Sequence, residues 1–194
     1  MSQTNTATAI NTKPFLTDVT ELRRRAREHI EKGAITTAYH GDLKVVIDLL
    51  NQALATEVVC VLRYKRHYFM ARGIAADSIA AEFQQHAAEE QGHADQLAAR
   101  IVQLGGEPDF NPQGLATRSH AEYVPGNDLY DMIQEDLIAE RIAIESYAEM
   151  IRYIGGDDVT TRRLLEQILA VEEEHADDMK TLLESMGKEK PPLK

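Results

Sequence analysis

Cys60 is the only cysteine among the 194 residues, so the chain can form neither an intrachain disulfide nor a cysteine-pair redox centre. Any metal chemistry must use histidine and carboxylate. No run approaches the roughly 18 consecutive apolar residues of a membrane span, and the polar start MSQTNTATAINTK lacks the apolar core of a secretory signal. A cytoplasmic protein with no membrane partner is expected. Positive charge is also scarce: the formal net charge is -11, which disfavours nucleic acid as a partner and suits the attraction of cations. At 43% hydrophobic and 27% charged side chains, the composition fits one globular domain with a well-filled core.

Residues 1–16 are rich in Thr, Asn and Ala without periodicity and read as a loose arm. Residues 18–32 predict a short helix capped by Asp18, with Val19, Leu22, Ala26, His29 and Ile30 along one side. Four long segments of helical period follow, at 42–71, 76–104, 127–154 and 158–186. Gly73 and Gly155-Gly156-Asp157 make short links within the first and second pairs, while a stretch carrying Pro108, Pro112 and Pro125 separates the pairs. The expected fold is all-α: a four-helix bundle of two antiparallel hairpins joined by a long crossover. Residues 1–40 form an N-terminal extension, 41–187 the bundle and 188–194 a tail.

Each apolar stripe is interrupted by acid. The first runs Val46, Leu50, Ala53, Glu57, Val61, Tyr64, Tyr68, and the second runs Ile79, Phe83, His86, Glu90, His93, Leu97, Ile101, Leu104. The third contains Leu129, Ile133, Asp136, Glu140, Ala143, Tyr147 and Ile151, and the fourth Leu165, Ile168, Glu172, His175, Met179 and Leu182. Burying four unpaired carboxylates would cost more than a typical domain stability of roughly 5 to 15 kcal/mol. None of these stripe positions is Lys or Arg. Two divalent cations would balance the four charges with both histidines neutral.

The pattern repeats internally. Glu57 precedes Glu90 by 33 residues and Glu140 precedes Glu172 by 32, and the second acid of each pair opens Glu-x-x-His-Ala-Asp, at 90–95 and 172–177. Each first acid is followed seven residues later by a tyrosine, Tyr64 or Tyr147. One Glu-x-x-His alone is ordinary surface decoration; two copies, at matched distances from two further core acids, point to one dinuclear carboxylate site. The expected ligands are Glu57, Glu90, His93, Glu140, Glu172 and His175. His86 and Glu89 read equally as a third metal position or as a partly exposed polar edge. Asp136 reads as a group orienting a ligating imidazole or as a plain hydrogen-bond partner. Cys60 reads as a small packed core residue, and the two tyrosines as core aromatics whose hydroxyls need partners.

Over roughly residues 42–187 the chain resembles the bacterioferritins and the bacterioferritin-like branch of the Dps group. The resemblance rests on ATEVVCVLRYKRHY, HAAEEQGHADQLAARIVQLGGEPDF, DLIAE and VEEEHAD. It implies a ferritin-like bundle holding two irons per chain, bridged by Glu90 and Glu172. Glu57 and His93 would complete one iron site, and Glu140 and His175 the other. It further implies a ferroxidase that oxidises Fe(II) with O2 or H2O2 and stores the product in a homo-oligomeric cage. Two departures stand out. Bacterioferritins carry haem between subunits on a methionine directly after the second-helix glutamate, where this chain has Gln91, so haem is not expected. The family's short fifth helix is also missing from MGKEKPPLK, where Pro191-Pro192 cannot continue a helix. Twelve chains are therefore expected in preference to twenty-four.

Two other functions remain open at this level. A non-storing di-iron or di-manganese oxidoreductase, peroxidase-like or catalase-like, needs the same ligand set. A Dps-type DNA-protecting protein would use the basic run Arg23-Arg24-Arg25-x-Arg27 and the tail lysines Lys188, Lys190 and Lys194.

Overall fold

A computed structural model describes residues 18–73 and 76–187; the proposed arm at 1–16 and the tail at 188–194 lie outside them. The chain divides into two compact units, Met1–Ala38 and Tyr39–Lys194. In the first, α1 spans Val19–Arg25, and the Asp18 carboxylate caps it by accepting from Thr20 N at 2.7 Å and Glu21 N at 3.2 Å. The helix expected over 18–32 stops there. Arg27 N and Glu28 N bond three residues back, His29 turns left-handed at φ 53°, and a single 3-10 turn follows at Ile30–Lys32. Val19, Leu22 and Ile30 are exposed. Without apolar burial, so short a helix gains little from continuing.

The second unit holds the long helices α2 (Leu43–Met70), α3 (Ala76–Gln103), α5 (Leu129–Ile154) and α6 (Val159–Gly187), with a one-turn helix α4 (Leu115–Arg118) inside the crossover. The sequence pattern did not show α4. Asp42 caps α2 through Lys44 N and Val45 N, and Asp128 caps α5 through Asp131 N. The hairpins α2–α3 and α5–α6 are the main packed pairs, and α2 against α5 and α3 against α6 close the bundle. α2 is long and apolar enough to cross a membrane by length and composition. Its buried face instead meets the other helices and carries Glu57, Arg63 and His67.

The crossover is tied along α2. Asn51 bonds Asp109 N and Glu107 O, and Thr56 Oγ1 accepts from His120 N at 2.9 Å. Gly106 is required where the chain leaves α3, because an added Cβ would stand 2.8 Å from the Ile47 side chain.

Two buried polar clamps fix the helices lengthwise. Arg63 Nε donates to Asp136 Oδ1 at 2.7 Å, His67 Nδ1 lies 2.8 Å from Asp136 Oδ2, and both residues also reach the crossover, at Glu122 O and Pro125 O. Between α3 and α6, Arg100 donates to Asp158 and to Thr161 Oγ1, and Asp158 accepts from Thr161 N at the start of α6. Arg63 lies off the apolar stripe read from the sequence, yet its side chain is only 1% exposed. Removing one partner of such a pair strands the other charge in the core. Arg63→Met should therefore cost about 3 to 5 kcal/mol, measured by urea unfolding at fixed chain concentration. A loss below about 1 kcal/mol, the range of exposed pairs, would show that Asp136 finds other partners.

Candidate metal centre

Helical periodicity brings one acid inward from α2 and one from α5, and a Glu-x-x-His pair inward from each of α3 and α6. Glu57, Glu90, His93, Glu140, Glu172 and His175 are all 5% exposed or less. Their atoms form two groups of four. Glu57, Glu90, His93 and Glu172 can each offer one donor atom with all four within 4.8 Å of one another, and so can Glu90, Glu140, Glu172 and His175. Glu90 and Glu172 belong to both groups.

The hydrogen-bond pattern is as informative as the distances. His93 Nδ1 lies 2.9 Å from Glu172 Oε1 and 3.4 Å from both Glu57 Oε2 and Glu90 Oε2, and His175 Nδ1 lies 3.3 Å from Glu90 Oε1. None of these contacts is aligned as a hydrogen bond. Both Nδ1 atoms, both oxygens of Glu90, Oε2 of Glu57 and Glu140, and Oε1 of Glu172 are buried without a partner. Buried polar atoms rarely stay unpaired. Here they converge on two points between the helices, and the donor set suits first-row divalent ions.

The remaining atoms are held from outside. Tyr147 of α5 donates to Glu57 Oε1 on α2, and Tyr64 of α2 donates to Glu140 Oε1 on α5. Each tyrosine occupies one carboxylate oxygen and leaves the other free. His175 Nε2 lies 2.8 Å from Glu89 Oε2, which turns Nδ1 toward the centre.

Without ions the cluster holds protons instead. Burial opposes a charged His93, but the carboxylates of Glu172, Glu57 and Glu90 outweigh it and raise the imidazole to about 12. Burial likewise opposes charge on His175, and Glu90, Glu140 and Glu89 raise it to about 9. Burial, then the charge of Glu90, lifts Glu140 to about 7 and raises Glu57 and Glu172 as well.

Several neighbours resolve the alternatives left by the sequence. His86 is fully buried, so it is not a partly exposed edge, whereas the Glu89 side chain is 40% exposed. Asp136 orients His67, which is outside both groups, so it does not orient a member of the site. Cys60 packs against Ala121 and Ala139, and burial pushes its thiol well up. Arg63, His67, Arg100 and Asp158 were missed as structural groups. Arg63 and His67, spaced i and i+4 and beside the α2 stripe, were the available signal.

The ferritin-like domain family matches residues 47–188. The chain belongs to the ferritin-like family. Within it, the chain is similar to bacterioferritin from Rhodobacter capsulatus, at 30% identity over 145 residues, covering 73% of this chain and 83% of the relative. Among solved structures it is similar to the bacterioferritin-related protein of Bacteroides fragilis, described as a dodecameric thioferritin. That likeness has a TM-score of 0.74 at 31% identity and covers 77% of this chain and 90% of the other. Bacterioferritin from Desulfovibrio desulfuricans, whose diiron site is described in different catalytic states, gives a TM-score of 0.67 at 26% identity, covering 75% and 82%.

The raised imidazole values fix the sign of a pH effect. At pH 7 both histidines hold a proton that a cation must displace, so binding should release two or more protons per chain. Raising the pH weakens that competition, and affinity should climb between pH 6 and 8. Calorimetry with Zn(II) in buffers of different ionisation enthalpy measures both effects; proton-neutral, pH-independent binding would contradict this account.

Proposed function

We propose that the protein is a ferroxidase that oxidises Fe(II) in the bundle and passes Fe(III) on for storage, which also removes peroxide. The observation that carries this reading is the convergence of unpaired buried donor atoms on two points that share Glu90 and Glu172. In this reading Glu57, Glu90, His93 and Glu172 would hold one iron and Glu90, Glu140, Glu172 and His175 the other, with Glu90 and Glu172 common to both. The iron pair supplies one electron from each ion, together enough to reduce O2 to H2O2 or H2O2 to water.

The chain's own groups do the rest. Tyr64 and Tyr147 hold the terminal acids with one oxygen turned inward, and Glu89 holds the His175 ring. The protons displaced from the cluster on iron binding leave by way of groups that face the α3–α6 cleft, which is bordered by Glu89, His93, Glu174, His175 and Asp178. The same cleft is the route for Fe(II), since acids line it. Carboxylate-rich ligation favours iron because it stabilises the ferric state; metal analysis of the purified protein separates this from a manganese enzyme. Duplex DNA is not part of the proposal, since Arg24 is engaged by Glu21 and Glu28, and Arg25 lies 3.3 Å from Glu21. A cytoplasmic location fits a role in handling Fe(II).

Storage needs an enclosed volume, which closed symmetric assembly supplies. The likeness to a protein described as dodecameric supports twelve chains. Two measurements test the reading. Glu90→Ala and Glu172→Ala should each abolish fast Fe(II) oxidation, a loss beyond the roughly 10- to 100-fold typical of groups that only support a ligand; oxidation at the wild-type rate in both variants would sink the assignment. Light scattering should give about twelve times the 21.7 kDa chain mass. Twice that mass refutes the twelve-chain cage, and a stable monomer or dimer undermines storage itself.

A further inference from the structure

The internal repeat that builds the centre stops at its inner ring of acids and histidines. Aligning Glu-x-x-His-Ala-Asp at 90–95 with its copy at 172–177 sets Glu89 of α3 against Val171 of α6, and His86 against Ile168. Both polar residues of α3 act on the same half of the centre. Glu89 Oε2 lies 2.8 Å from His175 Nε2, so the ring donates Nε2–H outward and presents its Nδ1 lone pair inward. Val171 borders the same cleft as His93, and its side chain can accept no hydrogen bond. His86 Nδ1 lies 3.2 Å from the Tyr64 hydroxyl, whose single proton goes to Glu140, so Tyr64 accepts from His86 Nδ1–H. Ile168 is buried and offers Tyr147 no such bond.

The two supports pull in opposite directions, and their sizes decide the outcome. A bond from His86 makes Tyr64 a stronger donor to Glu140 and draws charge from that carboxylate, a cooperative effect of about 10 to 30% of one bond. A carboxylate on the outer nitrogen of a ligating imidazole fixes its tautomer and raises its basicity, and losing it lowers metal affinity roughly 10- to 100-fold. The effect of Glu89 is the larger.

We propose that the two cation positions are unequal: the one at Glu140 and His175 holds its ion more tightly than the one at Glu57 and His93, and Glu89 is the positioning residue that sets the order of filling. The proposal rests on the paired-cation reading of the centre and not on which ion is bound. With Fe(II) scarce, a chain then holds one ion, and the second electron becomes available only when Glu57 and His93 receive their own.

Crystals of the full chain soaked in Zn(II) at less than one ion per chain, and measured at the zinc edge, would show the order of filling directly. The expected result is a stronger anomalous peak at Glu140 and His175. Glu89→Val copies Val171 at a side chain that is 40% exposed. It should weaken that position roughly 10- to 100-fold and level or reverse the two peaks. Glu89→Gln keeps an oxygen to accept Nε2–H and should give an intermediate ratio. In solution, Co(II) absorption should titrate in two steps for the wild type, with the tighter step weakened in Glu89→Val. Equal peaks in the wild type, a stronger peak at Glu57 and His93, or a ratio unmoved by Glu89→Val would overturn the inequality and leave the ferroxidase reading standing. Peaks at neither position would overturn both.

Discussion

Carboxylates do not belong in the middle of a helix bundle, and this one gathers four, Glu57, Glu90, Glu140 and Glu172, with no Lys or Arg paired to them among the described residues. Each would cost several kcal/mol if left charged and alone, so the interior must supply compensation. The protein divides the task. Tyr64 and Tyr147 take one oxygen each from Glu140 and Glu57, the two histidines stand among the remaining oxygens, and the atoms left unpaired face one another between the helices. In the ion-free state protons fill the deficit, which is why the histidines and three of the acids are shifted upward. Glu90 moves the other way: burial works against its charge, but the close approach of Glu57, His175 and His93 outweighs it and shifts the carboxyl well below the usual range.

Such a cluster keeps its geometry only if helices from two hairpins hold their register, because converging side chains tolerate only small displacements. The short links secure each hairpin internally. Between hairpins, the register depends on polar clamps: Arg63 and His67 of α2 grip Asp136 of α5, and Arg100 of α3 grips Asp158 at the foot of α6. The crossover is bound into the first of these. Apolar packing alone would allow the helices to slide; directed bonds to buried charge do not.

The meeting of Glu57, Glu90, His93, Glu140, Glu172 and His175 in the core was legible in the sequence because periodicity fixes which residues share a helix face, and an acid on an apolar face is conspicuous. The doubling of Glu-x-x-His made it more so. Arg63 was not legible for the converse reason. It sits one position before Tyr64, off the stripe, and only the long reach of its side chain brings the guanidinium to Asp136. His86 was ambiguous because its depth depends on α6, which contributes Asp178 and His175 from about 90 residues further along the chain. The helix expected over 18–32 failed because propensity and a good cap do not extend a helix whose apolar side has nothing to cover it.

The two tyrosine bonds run crosswise between hairpins. Tyr64 of the first serves the acid of the second, and Tyr147 of the second serves the acid of the first. Two identical hairpins paired about a two-fold axis would make the same two bonds, so a single chain carries the wiring of a homodimer. Duplication and fusion of one ancestral hairpin gene would leave this imprint. Neither half can then drift independently, since a change at either tyrosine is felt in the opposite half, and selection acts on the pair as one unit.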